Sequence, residues 1–158
     1  MTDRVPYILV VDDDPGVLDS LRFLFEDEGY RVQTTEKGDY AESLRDENGG
    51  LPDLIVLDVL LSGKDGRTIC RKLKSQDQTR HIPIVMISAY PDAERSTQEV
   101  GADAFVAKPF AIDQVLTTVA ALLSPSSGRT NTPTDSGAAE PEADDRRRSS
   151  ATAAQWEK

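Results

Sequence analysis

The stretch Val10-Val11-Asp12-Asp13-Asp14-Pro15 sets three adjacent carboxylates directly behind the apolar run Tyr7 to Val11. A second apolar run, Leu54 to Leu57, ends in Asp58, and a third, Val85 to Ile87, ends in Ser88. A fourth, Phe105-Val106-Ala107, is followed by Lys108. Asp14 has a structural explanation. It precedes Pro15, which suits the first helical position because the missing proline N–H needs no partner there, so Asp14 is predicted to be an N-cap. Asp12 and Asp13 are left over. Brought up to Asp58, like charges about 4 Å apart repel by about 4 kcal/mol at an effective dielectric near 20. Such a group takes up a proton or a cation, and hard carboxylate oxygens with room for water favour Mg²⁺.

An Asp at a strand-to-helix turn is often only a cap, and a Ser at a strand end is often only solvated. Four such residues on one edge of a sheet need more than that, so the elements that carry them matter. Up to Leu123 short apolar runs alternate with amphipathic stretches. The runs are 7–11, 31–35, 53–58, 83–88 and 104–107, and three of them are almost purely apolar, as strands covered on both faces are. Between them Val17, Leu18, Leu21, Leu24 and Phe25 fall at helical spacing, as do Ile112, Val115, Leu116, Val119, Leu122 and Leu123. Tyr40, Ala41 and Leu44 mark a second helix, and Ile69, Cys70 and Leu73 a third. The segment 92–100 offers the weakest apolar stripe of the five. Five strands alternating with five helices predict a doubly wound α/β sheet with helices on both faces. In such sheets ligands bind at the carboxyl ends of the strands, which is where the Asp, Ser and Lys residues fall.

The remaining composition narrows the function. The chain has 158 residues, with 18 Lys and Arg against 28 Asp and Glu, for a formal net charge of −10. That balance argues against a broad nucleic-acid-binding surface. The excess sits in residues 1–123, with 22 acidic and 13 basic side chains. The single cysteine, Cys70, excludes an internal disulfide and reads as a small buried hydrophobe. No secretory leader or membrane-length apolar segment is visible, so a reducing, cytoplasmic setting is expected. Residues 124–158 are rich in Ser, Thr, Pro, Gly and charge without periodicity, and are expected to be a disordered polar tail or linker.

Taken in order, VVDDDP, PDLIVLD, VMISA and GADAFVAKPF resemble the receiver domain of bacterial two-component response regulators, over residues 5 to 123. Any one of the four is weak; the set, in this order and spacing, is specific. The resemblance implies a flavodoxin-like five-stranded parallel sheet of order 2-1-3-4-5. It implies that Asp58 accepts a phosphoryl group from the phosphohistidine of a sensor histidine kinase or a histidine phosphotransfer protein. Mg²⁺ would be held by Asp12, Asp13, Asp58 and the backbone carbonyl of Leu60. Lys108 would pair with the phosphoryl group, and its bond to Pro109 would be cis. Ser88 would be the switch hydroxyl and Phe105 the switch aromatic, altering the surface around the fourth helix, fifth strand and fifth helix for an unknown downstream protein.

Two positions depart from the family pattern. Ser62 stands where the family usually has proline, which is expected to loosen the loop after Asp58 without touching an acid. Phe105 keeps a ring but lacks the tyrosine hydroxyl. The rival from another class is a non-phosphorylated pseudo-receiver acting as a protein-interaction module, and the presence of every acid speaks against it. A Mg²⁺-dependent phosphatase of similar architecture also uses strand-end aspartates, in a D-x-D nucleophile motif. Residues 124–158 are too few and too polar to make a DNA-binding output domain, so neither nucleic acid nor membrane is an expected partner of this chain.

Overall fold

The computed structural model describes residues 4–44, 50–90 and 92–124. The chain divides into Met1–Leu123 and Ser124–Lys158. The expected polar tail therefore lies, apart from Ser124, outside the described residues.

The described elements are β1 (Tyr7–Val11), α1 (Pro15–Asp27), β2 (Arg31–Thr35), α2 (Gly38–Glu42), β3 (Leu54–Asp58), β4 (Leu60–Leu61), β5 (Lys64–Asp65), α3 (Gly66–Lys74), β6 (Ile84–Ser88), α4 (Ala93–Glu99), β7 (Ala104–Ala107) and α5 (Ile112–Leu123). Five strands form one parallel sheet in the order β2-β1-β3-β6-β7, while β4 and β5 pair antiparallel as a small hairpin. With the hairpin set aside, this is the expected 2-1-3-4-5 order.

Every residue of the three central strands β1, β3 and β6 is buried, in keeping with their apolar sequences. Alternate residues serve opposite faces. Ile8, Val10, Leu54, Val56, Val85 and Ile87 pack with Leu18, Leu21 and Phe25 of α1 and with Val115 and Val119 of α5. Leu9, Val11, Ile55, Leu57, Ile84 and Met86 pack with Ala41 of α2, Ile69, Cys70 and Leu73 of α3, and Ala93 and Val100 at the ends of α4. A period of two along each strand thus meets a period near four along each helix. Cys70 is fully buried, and burial pushes its thiol up to about 11, so it is packing and not a nucleophile.

The expected helix with the weakest stripe is present, and two further details differ from the sequence reading. α4 forms despite its polar sequence, because Thr97 enters the core with its hydroxyl donating to the Glu94 carbonyl at 2.8 Å. Ile112 belongs to the apolar spacing of α5 yet is 53% exposed, since it opens the helix before the stripe turns inward. Tyr40 is also exposed, and Leu44 packs on the core from just beyond the five-residue α2.

Candidate functional site

The strand ends converge as the apolar runs require. Asp12, the first residue beyond β1, is completely buried, and its Oδ1 accepts the Asp14 N–H at 2.9 Å. Asp14 serves the helix instead. Its side chain accepts the Gly16 N–H at 2.9 Å and caps α1, with Pro15 in the first turn. Asp58 closes β3 and is 5% exposed. Ser88 closes β6, is buried, and its hydroxyl oxygen accepts the Tyr90 N–H at 3.0 Å. Lys108 follows β7, its N–H donating to the Ser88 carbonyl at 2.8 Å, and its peptide bond to Pro109 is cis as expected.

Carboxylate oxygens of Asp12, Asp13 and Asp58 all lie within 4.8 Å of one another. Between two of these acids sits the Lys108 ammonium, 3.0 Å from Asp12 Oδ2 and 3.3 Å from Asp58 Oδ2. The repulsion inferred from the sequence is therefore met by a cation of the chain itself, but only in part. Burial, and next the Asp12 charge, push the Asp58 carboxyl up to about 6, against the pull of Lys108 and of the Leu60 N–H at 3.5 Å. Burial works to lower the Lys108 ammonium, but its hydrogen bonds and charge contacts with Asp12 and Asp58 outweigh that and hold it above its ordinary value.

These groups face an open cleft of about 540 Å³ whose lining includes Asp13, Asp58, Leu60, Ser62, Ser88 and Lys108. The donors are oxygens on three carboxylates around a buried charge surplus, a set that suits a hard divalent cation. Phe105 is not in this cleft. It is half-buried on β7, opposite Met86 in register, and packs against the core on the α2–α4 face.

The loop after Asp58 corrects one expectation. Ser62 does touch an acid: its hydroxyl donates to Asp13 Oδ2 at 2.8 Å. Nor does the loop dangle. It is the β4–β5 hairpin, turned at Gly63 with φ +72°. Lys64 ties it to Glu42 and Asp39 at 3.0 and 3.1 Å. At its far end Asp65 caps α3 and holds the Arg67 guanidinium in a bidentate pair. Gly66 is needed there, because a Cβ would collide with the Asp58 carbonyl oxygen. Rigidity that a proline would lend the backbone comes here from side chains, which the spacing of single residues does not reveal.

The response regulator receiver domain family model matches residues 8–120. The chain is 36% identical over 121 residues to the DNA-binding dual master transcriptional regulator RpaA of a Synechocystis species, covering 75% of this chain and 49% of that protein. It is 42% identical over 111 residues to the response regulator PleD of Caulobacter vibrioides, covering 69% of this chain and 24% of that one. The chain thus spans about half the length of the first relative and about a quarter of the second. A Chloroflexus aurantiacus protein assigned as a response regulator superposes with a TM-score of 0.71 at 34% identity, over 76% of this chain and 98% of that one. Among the described residues no helix is long and apolar enough to cross a membrane. Sequence, sheet order and the acidic cleft agree: the chain belongs to the response regulator receiver domain family.

Proposed function

We propose that residues 5–123 take a phosphoryl group onto Asp58 from the phosphohistidine of a sensor histidine kinase or histidine phosphotransfer protein, in a cytoplasmic two-component pathway. The observation that carries this reading is the Lys108 ammonium shared between buried Asp12 and Asp58 at the mouth of an open cleft. A carboxylate that only stabilised the fold would gain nothing from a second buried carboxylate beside it. Asp58 Oδ attacks phosphorus, the P–O bond forms, the P–N bond breaks, and its electron pair returns to the donor imidazole. Lys108, already within hydrogen-bond reach of Asp58, is placed to pair with a phosphoryl oxygen as the carboxylate becomes an acyl phosphate. The Ser88 hydroxyl, at the next strand end, is the group assigned to follow the phosphoryl oxygen, leaving space for Phe105 to turn inward. Asp12, Asp13, Asp58 and the Leu60 carbonyl would hold Mg²⁺. When bound, the ion would neutralise charge gathering on the phosphoryl oxygens. The chain is a signalling module on this reading, catalysing its own phosphorylation and its slow hydrolysis.

Intact-mass measurement after incubation with acetyl phosphate and Mg²⁺ tests it directly. One phosphoryl group should add to the wild-type chain and none to Asp58→Asn. If no adduct forms with either acetyl phosphate or a phosphorylated kinase, trapped before hydrolysis, the interaction module is the better reading. An adduct that persists in Asp58→Asn puts the acceptor elsewhere.

A further inference from the structure

We infer that Ser62 is a positioning residue for the divalent cation, acting through Asp13; this rests on the phosphoacceptor reading above. Of the three clustered acids, Asp12 and Asp58 are buried and share Lys108, whereas Asp13 is half-exposed and lies outside that pairing. A partly exposed carboxylate on a loop samples several rotamers, and a ligand must leave all but one of them to bind. Ser62 limits that freedom. Its hydroxyl donates to Asp13 Oδ2 at 2.8 Å, which fixes one oxygen of a carboxylate that lines the cleft.

The donor is itself held. Ser62 sits at the turn of a hairpin in which Lys64, on β5, is anchored on Glu42 and Asp39. The hairpin base is fixed by the Gly66 N–H donating to the Val59 carbonyl at 2.6 Å, directly beside Asp58. Asp13 on the β1–α1 loop is thus referenced to the backbone that carries Asp58, across the mouth of the cleft. Hydrogen bonds to ligating carboxylates set their orientation, and their loss weakens metal binding. A proline at position 62 would have no donor to offer, so the departure from the family pattern changes how Asp13 is aimed.

The experiment is calorimetric titration of the full chain with Mg²⁺ alone, alongside thermal melting. Ser62→Ala should raise the Mg²⁺ dissociation constant about three- to tenfold, the low end expected for an exposed contact. Its melting temperature should be nearly unchanged, since Ser62 is a solvent-facing turn residue. Ser62→Thr, which keeps the hydroxyl, should restore affinity. In an Asp13→Asn background, Ser62→Ala should cause no further change, because the two residues act as one unit. Equal or tighter binding by Ser62→Ala would overturn the inference while leaving the phosphoacceptor reading intact. So would an equal loss in the Asp13→Asn background, which would mean a general effect on the hairpin. If the wild-type chain bound no Mg²⁺, the cation reading would fall and this inference with it.

Discussion

Replacing Asp58 by Asn should make the protein more stable at pH 8 and not at pH 4. The Asp58 carboxyl is pushed from an ordinary 3.8 up to about 6 by burial and by Asp12. A raised folded-state value means that stability from this group is fully present below about pH 4, where both states are protonated, and is lost as pH rises through 6. The difference is about 3 kcal/mol at about 1.4 kcal/mol per tenfold. Asn carries no charge and escapes that loss, though it returns part of the gain because Lys108 gives up one charged acceptor. A net gain of about 1 to 3 kcal/mol is therefore expected at pH 8, on the order of 4 to 12 °C in melting temperature for a domain of this size. Circular-dichroism melts of wild type and Asp58→Asn in EDTA at pH 4, 6 and 8 measure it. If the variant melted no higher than wild type at pH 8, or if the same gap persisted at pH 4, the repulsion inferred at Asp58 would be wrong.

Four further outcomes follow from the same contacts. Lys108→Ala leaves Asp12 and Asp58 buried without their ammonium and should cost about 3 kcal/mol at pH 8, less at pH 5 where Asp58 can take a proton, by urea denaturation. Asp14→Ala removes the α1 cap and should cost about 1 kcal/mol in the same assay, with Mg²⁺ affinity unchanged. Gly66→Ala should destabilise by about 2 kcal/mol or more, because its Cβ meets the Asp58 carbonyl, and should slow phosphoryl acceptance measured by intact mass. Truncation after Leu123 should leave both the melting temperature and the mass gain with acetyl phosphate unchanged, because the composition beyond it offers little to pack.

The architecture was legible in the sequence because hydrophobic periodicity is a direct record of what is buried. β1, β2 and β7 begin and end where the residue pattern places them, and β3 and β6 start one residue later, at Leu54 and Ile84. Asp53 lies just outside β3, where its carboxylate accepts the Tyr7 N–H at 2.7 Å and the Arg4 guanidinium. The Asp14 cap was legible too, since a cap depends on neighbours two residues away. What could not be read was which individual side chains of distant loops bond to one another. Ser62 and Asp13 are 49 positions apart, and no local rule sends a loop serine to a loop aspartate. Lys108 lies 96 positions from Asp12. Its place beside Asp58 followed from the family resemblance, but its bridging role to Asp12 did not. The likeness to receiver domains casts Ser62 as a proline missing from the loop, whereas the serine hydroxyl supplies a hydrogen bond to Asp13 that a proline could not make.

The charge balance of the cluster links its cost to its use. With all groups ionised, Asp12, Asp13 and Asp58 against Lys108 leave a surplus of two negative charges in a largely buried site. Ion pairing within the chain cannot remove it, because Lys108 is the only cation that the described contacts bring to these acids. A divalent cation would cancel the surplus, and an acyl phosphate on Asp58 would then add about one further negative charge beside Lys108. Without the cation, that added charge would enter a site that already holds a surplus of the same sign. The burial and like charge that raise Asp58 to about 6 in the resting site are what a bound cation would offset. A fold selected for stability alone would replace Asp58 by a neutral residue. Its presence at the end of an otherwise apolar strand, with a cleft in front of it and a lysine at its side, is intelligible as a site kept for charge that comes and goes.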